Sequence, residues 1–167
     1  VKARSDLTQS RLKELLHYDP ETGAITWASR PSSRVQIGMI AGKAHPLTGY
    51  RQIRVDKVSY YAHRLAWLYM TGEWPAADVD HINHARDDNR WRNLRGATRS
   101  QNIQYKSMQS NNTSGVKGVY FHAGKWAASI RYNGKSRHLG RFDDLADAKE
   151  LVELARDMCF GEFAFHG

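Results

Sequence analysis

The sequence predicts an α+β protein made of two small domains, and three observations carry that expectation. The 167 residues are 41% hydrophobic, enough to fill one medium core or two small ones. Runs with period-two alternation are punctuated by turn dipeptides, of which Asn133-Gly134 is the strongest hairpin signal. Elsewhere apolar residues recur at helical spacing, as in Leu145, Ala148, Val152, Ala155 and Cys159.

Taken in order, "LTQSRLKELLHYDPETG" reads as a short helix with Thr8 as N-cap, Leu12, Leu15 and Leu16 on one face, and a stop at Asp19-Pro20. "GYRQIRVDKVSYYAHRLAWLYMTGEWP" reads as a strand with Ile53 and Val55 on one face, a turn at Asp56-Lys57, a second strand, and a helix from Ala62 to Met70 that Gly72 caps. A β-run ending in Asp80-His81 follows. A polar loop over 82–93, a short strand from Leu94 to Ala97, and a helix capped by Thr98 or Ser100 and carrying Asn102 complete this part. "YKSMQSNNTSG" is polar and lacks an apolar period, which places a linker over 107–113 between domains at 1–106 and 114–167. Beyond it, "GVKGVYFH", "KWAASIRYN" and "KSRHLGRF" read as a three-stranded meander, closed by a helix that Asp144 caps and whose apolar stripe lies across the sheet.

Composition narrows the function. A net charge of +8, from 25 Lys+Arg against 17 Asp+Glu, favours a polyanionic partner. Its distribution is uneven: 113–141 holds six basic residues and no acid, whereas 142–167 holds two basic and seven acidic ones. One element of the C-terminal part is therefore expected to face nucleic acid and the next to face away. No apolar run approaches a bilayer span and "VKARSDLTQS" has no signal-like core, so no membrane role and a cytoplasmic location are expected. The single Cys159 offers neither an internal disulfide nor a multi-cysteine zinc site.

The richest stretch is "VDHINHARDDNRWRNLRGATRSQN", from Val79 to Asn102. Asp80 beside His81 can place a metal ligand next to a general base, although adjacent strand residues point to opposite faces and a local turn is needed to bring both to one site. Alone, such a pair is ordinary surface decoration. In context, "DHIN…DNRWRNLRGATRSQN" with "AHRLAWLYMTGEWP" before it resembles the HNH endonucleases, the ββα-metal nucleases, in particular their phage homing members, over roughly 5–106. The resemblance implies that Asp80 and Asn102 hold one divalent cation, that His81 is the general base, and that Asn93 ties down the loop and helps orient His81. Oxygen donors suit Mg²⁺ or Mn²⁺. It implies phosphodiester hydrolysis of double-stranded DNA by a monomer or a DNA-assembled dimer, in a phage-infected host. A DNA-binding module with an inactive nuclease motif is the competing reading, and the motif does not exclude an RNA nuclease. Arg64, Arg90, Arg92, Arg95 and Arg99 form either a solvated face or a set of phosphate contacts. His63 suits a hydrogen-bonded structural role and His84 a solvated loop position. Gly96 is unexpected where a core-facing strand position calls for a larger apolar residue.

The segment 114–164, through "KGV", "GKWAASIR", "LGRFD" and "FGEFA", resembles the DNA-binding domain of plant ethylene-response factors. The resemblance implies a sheet that enters the major groove. Lys117, Tyr120, His122, Ser129, Arg131, Arg137 and His138 are its candidate DNA contacts. Tyr120 and His122 stand where the plant domains have arginines, so the target sequence is not transferable. Trp126, Phe121, Ile130, Leu139 and Phe142 read as packing.

Overall fold

A computed structural model describes residues 7–105, 108 and 110–166. Mixed helix and sheet fill them, and the chain divides into two compact units after Ala97. That division falls ahead of the expected linker, because the helix following Ala97 clusters with the C-terminal residues. Of the linker itself, 107 and 109 lie outside the described residues, as does the start of the "VKARSDLTQS" segment.

In the first unit, α1 (Gln9–Leu15) is capped by Thr8, whose side chain accepts from the Arg11 N–H as its sequence predicts. The helix ends one residue short of Leu16. There the chain becomes extended, and β1 (Leu16–Tyr18) pairs antiparallel with β2 (Ile25–Trp27). Leu16, expected on the helical face, is therefore a strand residue. Leu16 and Tyr18 are both buried and His17 between them is exposed, a period-two pattern that the adjacent Leu15 obscures in the sequence. The turn is held by Asp19, whose carboxylate accepts from the Glu21 N–H and the Thr22 hydroxyl. Gly23, at φ +75°, is required on two counts: the left-handed backbone, and a Cβ that would fall 2.5 Å from the Arg90 nitrogen.

β3 (Lys43–Ala44), β4 (Arg51–Val55) and β5 (Val58–Tyr61) form a second antiparallel sheet. Asp56 and Lys57 take positive φ in the turn between β4 and β5, as a two-residue hairpin demands. α2 (Ala62–Thr71) follows, with Gly72 as a left-handed cap. Its Leu65 and Leu68 join Leu12, Leu16, Ile53 and Val55 in the core. β6 (Asp78–His81) and β7 (Leu94–Ala97) then form a two-stranded ladder in which Asp80 faces Arg95 and His81 faces Leu94. Gly96 has a reason the sequence does not show. It is exposed, and a Cβ there would lie 3.3 Å from the Trp67 ring, so the glycine admits the indole.

The second unit opens with α3 (Arg99–Gln104), where Thr98 and Gln101 make a reciprocal capping box. β8 (Val119–His122), β9 (Lys125–Tyr132) and β10 (Lys135–Phe142) form a meander with β9 in the centre. Its two turns, Ala123-Gly124 and Asn133-Gly134, take positive φ at both positions. α4 (Leu145–Phe160), capped by Asp144, buries Ala148 and Val152 with Val119 and Ala128. Trp126, Leu139 and Phe142 pack on that cluster. Phe121 does not: it is 57% exposed, with its ring against the edge of Trp126.

Candidate active site

Within the first unit, His81 is the centre of a buried polar cluster. Its side chain is delivered by the end of β6 and the residue is only 3% exposed. The turn begins after it, at Ile82, so Asp80 and His81 are successive residues of one strand and not the two arms of a turn. The imidazole sits among rings, with His63 edge-on at 5.1 Å and Tyr50 at 5.8 Å between centroids. Its Nε2 lies 3.4 Å from Asn89 Oδ1. Burial pushes the His81 imidazole below its usual range, an effect that the Asn89 contact and the nearby carboxylates of Asp80, Asp88 and Asp87 partly offset. His81 is therefore neutral near pH 7, as a proton acceptor must be.

His63 is 7% exposed and pushed down to about 3, first by burial and then by the neighbouring His81 and Arg64. It packs face to face with Tyr61 at 5.5 Å. The expectation that it is hydrogen-bonded fails at one atom, since its Nδ1 finds no partner among the described residues. It is a neutral ring in a ring cluster.

Asn93 is buried and ties the loop at three points. Its amide donates to Asn83 Oδ1 at 2.9 Å and to the Asp88 carbonyl at 2.8 Å, and its oxygen accepts from the Asn83 N–H at 3.0 Å. The side chain against His81, however, is Asn89, which the sequence reading passed over. Asp80 is almost buried, and both of its contacts with Arg95, at 3.0 and 3.1 Å, fall on Oδ2. Asn102 is a half-buried residue of α3, in the other unit. Among the described residues no three His, Cys, Asp or Glu side chains gather as a metal cluster.

The arginines separate into two groups. Arg95 is engaged by Asp80, and Arg90 donates to Asp88 at 2.7 Å, a pairing that pulls the Asp88 carboxyl down to about 2. Arg64 donates to the Ala77 carbonyl and lies over Trp74. Arg92 and Arg99 are exposed. His84 takes φ +60°, which explains a position better suited to glycine, and it is half-buried, not solvated.

In the second unit the strand register sorts the remaining candidates. Tyr120 faces Ala127, Ser129 faces His138, and Arg131 faces Ser136, so these lie on one face together with His122 and Lys125. Arg137 does not join them. It pairs with Ile130 and shares the face of Ala128 and Trp126. An irregularity between His138 and Gly140 shifts the register by one, which moves Arg141 opposite Ala127 and onto the face of Arg131. Lys117 lies before β8, half-buried over the Phe165 ring at 5.3 Å, with its ammonium pushed down to about 8 by burial and by Arg156.

Comparison with known proteins addresses the same stretch. Residues 60–104 match the sequence profile of the HNH endonuclease family. The chain is similar to an uncharacterised HNH endonuclease of Acanthamoeba polyphaga mimivirus, 34% identical over 119 residues that make up 70% of this chain. It spans 62% of that relative's length. No solved structure matches the chain. The asparagine-tied loop and its buried imidazole thus coincide with the matched residues, and what the comparisons support is that 60–104 is similar to the HNH endonucleases.

Proposed function

We propose that the protein is a metal-dependent DNA endonuclease of the homing type, in which the β6–β7 ladder and its loop present the base of the nuclease motif and the C-terminal sheet places the cut. The observation that carries this reading is the state of His81: a buried imidazole held neutral beside a loop that Asn93 ties down. His81 takes the proton of a water whose oxygen attacks phosphorus, and the 3′ oxygen leaves. Arg92, exposed in the loop, is open to a phosphate.

The Asp80 carboxylate is the kind of oxygen donor a hard cation takes, although Asp80 and His81, as successive residues of β6, point to opposite faces of the strand. With Arg95 on Oδ2, the Asp80 carboxylate retains Oδ1 for the ion, and the resemblance to the HNH nucleases names the amide oxygen of Asn102 as its further donor. Bound there, Mg²⁺ or Mn²⁺ would supply Lewis-acid stabilisation of the charge that builds on the scissile phosphate.

The C-terminal unit acts in this reading as an ethylene-response-factor-like module that lays one sheet face in the major groove. Its cationic face, with Arg131 and Arg141, supports that role, and so does the acidic α4, whose Asp147 and Glu150 are exposed. Plasmid nicking tests the whole proposal. Nicking is expected with Mg²⁺ or Mn²⁺, with loss after chelation and a fall of about 10²–10⁴ in His81→Ala. Cleavage that survives both changes would sink the base and metal assignments.

A further inference from the structure

Asn89 is 2% exposed and stands in the middle of a polar loop, where a side-chain amide has no packing reason to be buried. Its orientation is set from one side. Nδ2 donates to the Asp87 carbonyl at 3.1 Å, an atom that can only accept, so the other end of the amide must be the oxygen. That oxygen faces His81 Nε2 at 3.4 Å. An oxygen with lone pairs needs a donor opposite it. We infer that Asn89 is a positioning residue that fixes the proton of neutral His81 on Nε2 and so leaves the lone pair on Nδ1.

The backbone that presents Asn89 is braced from outside the matched stretch. Its carbonyl accepts from the Tyr18 hydroxyl at 2.7 Å, and the Trp91 N–H donates to the Pro20 carbonyl at 2.9 Å. The β1–β2 turn closes on the same point, since Gly23 abuts the Asn89 and Arg90 backbones. Asp87, which orients the amide, is itself clamped by Arg51 of β4 through two contacts of 2.9 Å. Thus Arg51 holds Asp87, Asp87 orients Asn89, and Asn89 selects the His81 tautomer. An imidazole with two accessible tautomers would present the lone pair at Nδ1 only part of the time.

The consequence for catalysis, that Nδ1 is the atom accepting the proton of water, rests on the nuclease reading; the tautomer does not. The test uses the full chain with ¹⁵N-labelled histidine at mildly alkaline pH, with His81→Ala identifying the ring signals of His81. Nε2-protonated His81 is expected in the parent chain and in Asn89→Asp, which keeps the acceptor. Asn89→Leu is expected to lose the single tautomer, with kcat for nicking falling about 10- to 100-fold and KM changing less than about twofold. Nδ1-protonated His81 in the parent chain overturns the proposal, as does an Asn89→Leu protein with unaltered ring signals or unaltered kcat. If Asn89→Leu does not fold, the parent and Asn89→Asp spectra decide. A parent chain that fails to nick DNA with Mg²⁺ or Mn²⁺ removes the nuclease reading, and the ring signals still settle the tautomer.

Discussion

The His81 cluster and the exposed face of the C-terminal sheet use polar residues in opposite ways. Around His81, each amide and carboxylate is fixed by a partner: Asn93 by Asn83 and Asp88, Asp87 by Arg51, Asp80 by Arg95. On the sheet, Tyr120, His122, Ser129, Arg131 and His138 stand side by side on one face, with Tyr120 about half exposed and Arg131 also exposed. The first arrangement suits a group that must hold one protonation state and one orientation. The second suits a surface whose contacts form when a partner arrives. A substitution in the cluster should therefore act on rate and fold, and one on the sheet should act on binding.

The sharpest test of that division is Asn93→Ala. It removes three hydrogen bonds and leaves the Asn83 N–H without its acceptor, so a loss of about 2–4 kcal/mol is expected in urea unfolding, with nicking reduced and DNA affinity of the folded protein little changed. An equal loss of affinity would merge the two regions into one.

Acid should distinguish them next. The folded-state pKa of His63 lies at about 3, below the ordinary 6.5, so the unfolded chain binds the proton more readily between those values. Stability from this group is fully present above pH 6.5 and is lost as pH falls towards 3, by at most about 1.4 kcal/mol per pH unit. His81 is shifted in the same direction and adds to the loss. Unfolding midpoints followed downward from pH 8 should fall less steeply in His63→Phe than in the parent, and parallel slopes would remove His63 from the account. Gly96→Val is expected to cost about 1–3 kcal/mol by driving into Trp67, although the position is exposed. A neutral result would show that the indole can move aside.

The smallest effects belong to the sheet. Arg131→Ala and Arg141→Ala should each weaken DNA binding a few-fold and reduce the salt slope by about one, while Arg137→Ala does less. Equal slopes for Arg137 and Arg141 would mean that the bulged register does not define the binding face.

Local signals made most elements legible. Thr8, Gly72, Thr98 and Asp144 cap helices where the sequence places them, and Asp56-Lys57 and Asn133-Gly134 turn the chain as their residue types demand. The failures have non-local causes. Leu16 fits a helical stripe equally well, and its strand pairing depends on Ile25–Trp27 some ten residues later. Arg137 and Arg141 share a face in any unbroken strand, and the irregularity near Leu139 separates them without a marker in the sequence. The motif points to His81, and the structure buries that imidazole at the end of β6. Asn89 was not legible, because nothing in "DDNR" says which of its polar side chains turns inward.

The β1–β2 turn limits how far the chain can be cut back. Pro20, Gly23 and Tyr18 touch the backbone of the loop at Asn89–Trp91, yet they lie some forty residues before the stretch that matches the family. A cassette cut to 60–104 and grafted onto another scaffold would keep the recognisable residues and lose the brace beneath them. Any graft that keeps the brace has to carry β1, β2 and the turn between them.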